Sequence, residues 1–460
     1  MKSFCSLFVL LALSLTSHAQ ELTLQEYLSW VVREHPLMQT ANLKPQYGEA
    51  QMLQVKGLFD PVLESKFKQK FAGGQNYYTN STTGLTYPTP YAVSLVSQVD
   101  VNNGYYVNPM DYTKNAGLLS VGVSVPLLKG LVVDERRMAK QRAEKIQEAY
   151  QIEKTIAINE LLYQSTLLYI NWWYTWQRFD ITKNIAENTF QRHLNMRERF
   201  FKGDRAAIDT VETYTQVQNR RIQISESELE LIKSRIALVA FLSDSTSNNL
   251  TLLTAQAHPE KQFTARNTFN IPLLTLMQQI ELHPELMLYN NKMDVLKIEK
   301  KWKEEKLKPK LNVEYYALQQ PLSPDTWNPY LSNYKWGVEF SSPLFLREAR
   351  GDLKLQQLKI QETDLNREWK SNQILQKSQS LEAASVQLKT QIQNASKNVS
   401  LYKQLLDAEN KKLELGESSL FLVNTRENSY FESLMKELEL KTKNSVAHTD
   451  WNFLWFLPYE

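Results

Sequence analysis

Two histidines are the residues most suggestive of a reactive centre: His35 and His283 each stand directly before a proline. A metal site would need three or four His, Cys or carboxylate donors gathered together. Neither histidine has such a cluster beside it in the sequence, so no metal is expected. The His-Pro pair reads instead as a helix start, with Pro36 or Pro284 in the first turn, where a missing N–H costs nothing. No phosphate-cradling glycine loop, nucleophile elbow or zinc-binding helix occurs. The carboxylates are dispersed along polar helix faces, whereas acid–base catalysis needs two groups brought to one place. Neither enzymatic activity nor a cofactor is expected.

Charge and targeting narrow the classes further. The net charge is only +3, with bases interspersed among acids, so no nucleic-acid footprint is present. Residues 1–19 read as a secretory signal peptide, with Lys2, the apolar run Phe4 to Leu15, and the small-residue site Ser17-His18-Ala19. Cys5, the only cysteine, precedes that run and so supplies neither a disulfide nor a lipidated first residue. After Leu15 nothing approaches the roughly 18 consecutive apolar residues of a membrane helix. If the chain crosses a membrane, strands must do it.

The elements are organised around a proline-free stretch from Val132 to Leu242, divided into two helical arms by its one glycine, Gly203. The first arm would run on the order of 100 Å at about 1.5 Å per residue. On the second, Ile208, Val211, Thr215, Gln218, Ile222, Ser225, Leu229, Ile232, Ile236 and Val239 fall on a heptad seam dotted with polar residues. A seam of that kind suits helices arranged around something wet. Trp172-Trp173-Tyr174-Thr175-Trp176 reads as a packing junction midway along the first arm.

Before this stretch come two short helices, then a strand over about 62–71. It carries Leu63, Ser65, Phe67, Gln69 and Phe71 on one side and Glu64, Lys66, Lys68 and Lys70 on the other. Residues 73–117 read as a long excursion with an extra hairpin, marked by an alternating run from Tyr91 to Val101 and a turn at Asn102-Asn103-Gly104. A second strand, about 119–126, alternates Val121, Val123 and Val125 with Ser120, Gly122 and Ser124.

The same order then recurs. After a connector over 243–270, His283-Pro284 opens a helix leading to strands at about 310–318 and 334–342 and a long helix from about Glu348 to Leu415. That helix carries Leu388, Ile392, Ala395, Val399, Tyr402, Leu406 and Leu413 on its seam and breaks at Gly416 before a return helix. The expected organisation is two repeats, 20–242 and 271–445, followed by a tail over 446–460. The fold class is mainly α with β: long antiparallel coiled-coil hairpins plus four amphipathic strands per chain, internally duplicated. Each strand is about long enough to cross a bilayer when tilted. Four cannot close a barrel, since membrane barrels begin at about eight strands, so embedded strands would force several copies together. Aromatic residues near the strands, among them Tyr77, Tyr78, Tyr105, Tyr106, Tyr315, Tyr316, Trp327, Tyr330, Tyr334 and Trp336, suit interfacial girdles and outer loops.

The duplicated plan and the two His-Pro helix starts resemble the TolC family of outer-membrane efflux and secretion channels. So do the strand ends Val125-Pro126-Leu127-Leu128 and Ser342-Pro343-Leu344-Phe345, and the turns Phe201-Lys202-Gly203-Asp204-Arg205-Ala206-Ala207-Ile208-Asp209 and Leu415-Gly416-Glu417-Ser418-Ser419-Leu420. The resemblance spans nearly all of the chain after residue 19. It implies a homotrimer whose strands share one barrel among outer-membrane lipids, above a periplasmic helical tunnel that meets an inner-membrane transporter through a periplasmic adaptor. It also implies that Gly203 and Gly416 are the periplasmic turns, with Asp204, Arg205 and Glu417 crowning them and Asp209 one turn further in, at the adaptor-docking and gate end. Leu422 and Thr425 depart from the pattern, standing where the archetype's narrowing carries carboxylates. Two competing readings are a periplasmic adaptor and a structural coiled-coil envelope protein. The first would carry glycine-rich lipoyl halves, against only 13 glycines here, and the second would lack paired amphipathic strands.

Overall fold

The computed structural model describes residues 21–113, 117–242, 258–260, 273–319 and 333–457. The expected signal peptide and most of the expected connector lie outside the described residues, as do Trp327 and Tyr330. Contacts divide the chain into two compact units, each drawn from both halves of the sequence. The first comprises Met1–Gln39, Ala157–Met277 and Ile374–Glu460; the second comprises Thr40–Ile156 and Gln278–Gln373.

The second unit holds the sheet. Strands β1 (Glu21–Leu22) and helix α1 (Leu24–Glu34) belong to the first unit, and α2 (Pro36–Lys56) leads into the second. There follow β2 (Val62–Ala72), β3 (Gln75–Pro88), β4 (Ser94–Asn103) and β5 (Leu118–Pro126), then the 67-residue α3 (Glu135–Phe201). The first half closes with α4 (Ala207–Leu242). The second half supplies β6 (His258–Pro259), α5 (Leu273–Gln278), α6 (Pro284–Glu305), β7 (Lys310–Gln319), β8 (Tyr334–Ser341), the 68-residue α7 (Arg347–Glu414) and α8 (Leu420–Leu454).

Among the described residues six strands make one sheet in the order β2-β3-β4-β5-β7-β8, with every neighbouring pair antiparallel. The excursion supplies the two extra members: β3 and β4 stand between β2 and β5. The expected extra hairpin is there, but its turn lies over residues 89–93 and not at Asn102-Asn103-Gly104, because its first strand, Gln75 to Pro88, is Thr, Asn, Ser and Tyr with little apolar alternation and gives no local strand signal. Its pairing comes from the ladder on either side, and tertiary context overrides local preference in strands.

Register sorts the side chains into two faces. One row runs Leu63, Leu85, Ser97, Val121, Ala317 and Tyr334 across the six strands. Two residues along, Tyr87, Leu95, Val123, Tyr315 and Trp336 share that face. The opposite face carries Lys66, Thr82 and Asp100 in one row and Ser124, Glu314 and Gly337 in others. Thr82 Oγ1 donates to Asp100 Oδ1 at 2.8 Å, so this polar face is hydrogen-bonded within itself. Gly122 lies on it, and a Cβ there would come within 2.0 Å of the Tyr315 oxygen and 2.6 Å of the Tyr316 ring. Only glycine lets β5 and β7 approach so closely.

Helices of this unit meet at close range too. A Cβ on Gly48 would stand 3.0 Å from the Gln147 Cα, and Lys44 pairs with Glu153 at 2.7 Å nearby. The strand-to-helix corner is fastened by Asp134, whose Oδ1 accepts from the Arg137 amide at 2.8 Å, a helix cap at the start of α3.

The first unit is a helical bundle around an aromatic core. Tyr27, Tyr169, Trp172 and Trp173 are buried together with Leu161, Ile170, Leu231 and Leu238. The Trp-Trp-Tyr-Thr-Trp run is thus the packing junction its residue types suggest. Two rings of this core are tied to backbone: Tyr169 donates to the Leu22 carbonyl at 2.7 Å and Trp173 Nε1 to the Glu260 carbonyl at 3.0 Å. Burying each such ring contributes roughly 2 to 3 kcal/mol.

On α4 the buried stripe is not the expected one. Thr213, Val217, Arg220, Ser227, Leu231, Ser234 and Leu238 face inward, while Ile208, Val211, Ile222, Leu229, Ile232 and Ile236 are exposed. Both stripes keep heptad spacing, so periodicity alone could not choose between them. The small hydroxyls belong inside because they pack beside bulky neighbours and find partners there: Ser234 Oγ meets Thr175 Oγ1 at 2.6 Å. On α7 the expected seam does face inward, with Ala395, Leu406 and Leu413 buried.

Candidate functional site

The two helical hairpins end in turns of one construction. At the first, the Gly203 amide donates to the Phe200 carbonyl at 2.9 Å and the Asp204 amide to the Arg199 carbonyl at 2.9 Å. At the second, the Gly416 amide donates to the Leu413 carbonyl at 3.2 Å and the Glu417 amide to the Lys412 carbonyl at 2.9 Å. These paired bonds are the Schellman closure of a helix C-terminus, which needs a left-handed residue at its centre. Gly203 and Gly416 both have φ of 79°, and nothing lies within 4 Å of where a Cβ would stand on either. The demand for glycine is therefore conformational and not one of space.

The charged residues around the turns have separate duties. Asp204 turns its carboxylate back to Arg199 Nε at 2.7 Å instead of capping α4, whose first residue is Ala207. Arg205 reaches across: its Nη2 donates to the Leu413 carbonyl at 3.2 Å, joining the first turn to the end of α7. That carbonyl already accepts from Gly416, so one oxygen serves both hairpins. Asp209 lies in the first turn of α4, where a negative charge favours the helix dipole. Glu417 is exposed, and α8 is capped two residues on by Ser419, whose hydroxyl accepts from the Leu422 amide at 3.4 Å. Leu422 and Thr425 are exposed on the returning helix, and the Thr425 hydroxyl donates to the Phe421 carbonyl at 2.8 Å.

Behind the turns lies a charged group that sequence reasoning missed. Glu427 of α8 is 3 % exposed and is bracketed by Arg192 of α3 and Arg220 of α4. Thr189 Oγ1 donates to Glu427 Oε1 at 2.6 Å, and Arg220 Nη2 donates to Asn428 Oδ1 at 2.6 Å. Asn424 Nδ2 donates to Glu212 Oε1 at 2.9 Å, one turn nearer the tip. Burial pulls the Arg220 guanidinium down from its ordinary range, and the neighbouring Glu427 works against that pull. Three helices from both hairpins are thus locked by ionic contacts as well as by Met196, Leu420 and Val423. The available signal was Arg220, a charge sitting on the second stripe of α4 with Thr213, Val217 and Leu231, beside the aliphatic seam that periodicity first picks out.

The two His-Pro histidines act as helix caps. His35 Nδ1 accepts from the Leu37 amide at 3.0 Å, and His283 Nδ1 accepts from the Glu285 amide at 3.3 Å. The His35 ring also packs on Phe241 at 4.6 Å between centroids, and burial lowers its pKa. Among the described residues no group of three or more His, Cys, Asp or Glu could hold a metal ion.

Two long hairpins with glycine turns and an antiparallel sheet of two-faced strands define the fold of the TolC-type outer-membrane channels. Solved structures with this fold align over nearly the whole chain. VceC from Vibrio cholerae, an outer-membrane protein, matches with a TM-score of 0.69 at 12% identity, covering 95% of this chain and 97% of that one. The CmeC outer-membrane channel of Campylobacter jejuni matches at 0.67 and 13% identity, covering 94% and 85%. The open state of the Neisseria gonorrhoeae MtrE outer-membrane channel matches at 0.66 and 12% identity, covering 94% and 88%. No protein-family model and no curated protein matches the sequence.

Proposed function

We propose that this chain is one subunit of an outer-membrane channel that exports solutes delivered by an inner-membrane transporter and a periplasmic adaptor. The observation that carries the reading is the sheet: one face is richer in apolar residues than the other, and among the described residues its end strands β2 and β8 each pair on one side only. In lipid such open edges leave backbone groups unsatisfied, at several kcal/mol each, unless copies join into a closed wall. Three copies would do so, with the polar face lining the bore.

The exposed apolar stripe of α4 fits the same assembly, since a homotrimer would bring a neighbouring helix onto Ile208, Val211, Ile222, Leu229, Ile232 and Ile236. The matching lengths of α3 and α7, 67 and 68 residues, and of α4 and α8, 36 and 35, support an internal duplication. Residues 20–242 and 271–445 are then its two copies. Gly203, Asp204, Arg205, Asp209, Gly416 and Glu417 form the end that docks the adaptor and gates the path. Conduction is passive, and energy comes from the partner transporter. Opening is a shift of the returning helices α4 and α8 between two packings.

Membrane fractionation tests this. The protein should sediment with the outer membrane as an oligomer that dissociates only on heating in detergent. Recovery as a freely soluble monomer would overturn the proposal.

A further inference from the structure

Residue pairing gives the sheet a systematic slant. Val62, Thr86, Val96, Gly122, Tyr316 and Lys335 form one row straight across the six strands. Toward the helix-connected ends, β2 stops at that row, β3 and β4 run two residues past it, β5 four, and β7 and β8 six. Six residues of stagger over five strand spacings, at about 3.3 Å per residue and about 4.8 Å per strand, is an inclination of about 40°. Walls of closed barrels incline by about 35 to 45°. β3 and β4 together occupy the step between β2 and β5, so the hairpin they form follows the wall instead of departing from it.

The connection between them is as tight as a wall requires. The Thr89 amide and hydroxyl both donate to the Val93 carbonyl, at 3.0 and 2.7 Å, and Ala92 takes a φ of 67° to close the bend. At the far end β2 and β3 join through Gly73 and Gly74, both at positive φ. On β4 the two-faced pattern holds, with Leu95, Val99 and Val101 on one face and Gln98 and Asp100 on the other; on β3, Leu85 and Tyr87 share the first face with the small residues Thr79, Ser81 and Thr83, and Thr82 lies on the second.

We infer that the β3–β4 hairpin is part of the membrane wall, so that each copy contributes six strands and a closed trimer has about eighteen. This rests on the channel reading above. Six is even, and every pair in the sheet is antiparallel, so β8 of one copy meets β2 of the next in the same antiparallel sense. A second copy of this chain is therefore the occupant of both open edges. The bore is about half again as wide as four strands per copy would give, because barrel diameter grows roughly linearly with strand number. Barrels of sixteen to eighteen strands leave an open aqueous channel. With Lys66, Lys68, Asp100, Glu314 and Glu339 on the inner face, this exit suits bulky hydrated cargo of either charge sign.

Spin labels read the wall directly. In a Cys5→Ser background, nitroxides are placed at Leu85, Val99, Thr82 and Asp100, with Val121 and Ser120 on β5 as controls, in full-length oligomers reconstituted into lipid bilayers. The ratio of collisions with oxygen to collisions with a water-soluble nickel chelate should be several-fold higher at Leu85, Val99 and Val121 than at Thr82, Asp100 and Ser120. Controls that alternate while all four β3–β4 sites report water would overturn the six-strand wall alone. Controls that fail to alternate would overturn the barrel itself. As a second measurement, cysteines at Ser65 and Val121 should not crosslink within a chain, because β3 and β4 stand between them. Efficient crosslinking there would mean that β2 lies beside β5 and the hairpin is outside the wall.

Discussion

Arg205 and Leu413, 208 positions apart, are joined where the two hairpins end: the guanidinium of one donates to the main-chain oxygen of the other at 3.2 Å. The acceptor is a backbone atom, so no change of side chain at 413 can remove it. Control of this link lies with residue 205 alone.

Replacing Arg205 with alanine should loosen the tip. The contact is partly exposed, so its loss should lower stability by less than about 1 kcal/mol. The expected effect is on gating: higher and more frequent openings in single-channel recordings, with an unchanged oligomer on gels. Unaltered conductance would separate this contact from the gate.

Valine at Gly203 or Gly416 forces a β-branched residue to a φ of 79°. A left-handed backbone costs an ordinary residue roughly 1 to 2 kcal/mol, and a branched one more. Export should fail, as seen in growth on a toxic substrate of the pump, while the oligomer still reaches the membrane. Asparagine at the same positions tolerates this conformation and should retain most activity. Full export by the valine variants would remove the turns from the mechanism.

Glu427→Ala should be the most damaging single change in the helical bundle. It leaves Arg192 and Arg220 facing each other without their carboxylate, and breaking a buried ion pair costs about 3 to 5 kcal/mol. Thermal unfolding in detergent would read the loss. Combining Glu427→Leu with Arg192→Met and Arg220→Met should recover much of it, because similarly shaped apolar groups can replace buried charges. A triple variant as unstable as the single one would show that packing, not charge, dominates there.

Acid should weaken the bundle through its histidines. Burial lowers the pKa of His35, His193 and His448 below the ordinary 6.5, with Arg197 adding to the effect at His193. A lowered folded-state value means the unfolded chain binds protons first, so this stability is fully present above about pH 6.5 and is lost as pH falls below it. Melting temperature should drop between pH 7.5 and pH 5.5, and His448→Gln should shrink the drop. Equal pH dependence in the variant would remove His448 as a contributor.

Sequence alone carried the long helices, the glycine turns and the His-Pro starts, because each depends on local chemistry: propensity, a left-handed residue, a fixed proline φ. It did not carry β3, whose Thr- and Asn-rich sequence becomes a strand only through β2 and β4 on either side. Nor did it choose between the stripe of Ile222 and Leu229 and that of Thr213 and Arg220, since both repeat every seven residues. The stripe richer in aliphatic residues reads as a helix-packing seam and is exposed on the single chain. Glu427 was invisible because its partner Arg220 lies on the stripe of α4 that the aliphatic seam drew attention away from, and nothing local marks Arg192 of α3.

If copies assemble in the envelope as proposed, the bare isoleucines and leucines of α4 make the single polypeptide sticky before it meets its siblings. In transit across the envelope it would need an escort that shields this surface, and overproduction that outruns such escorts should yield clumps in the periplasm instead of more pores.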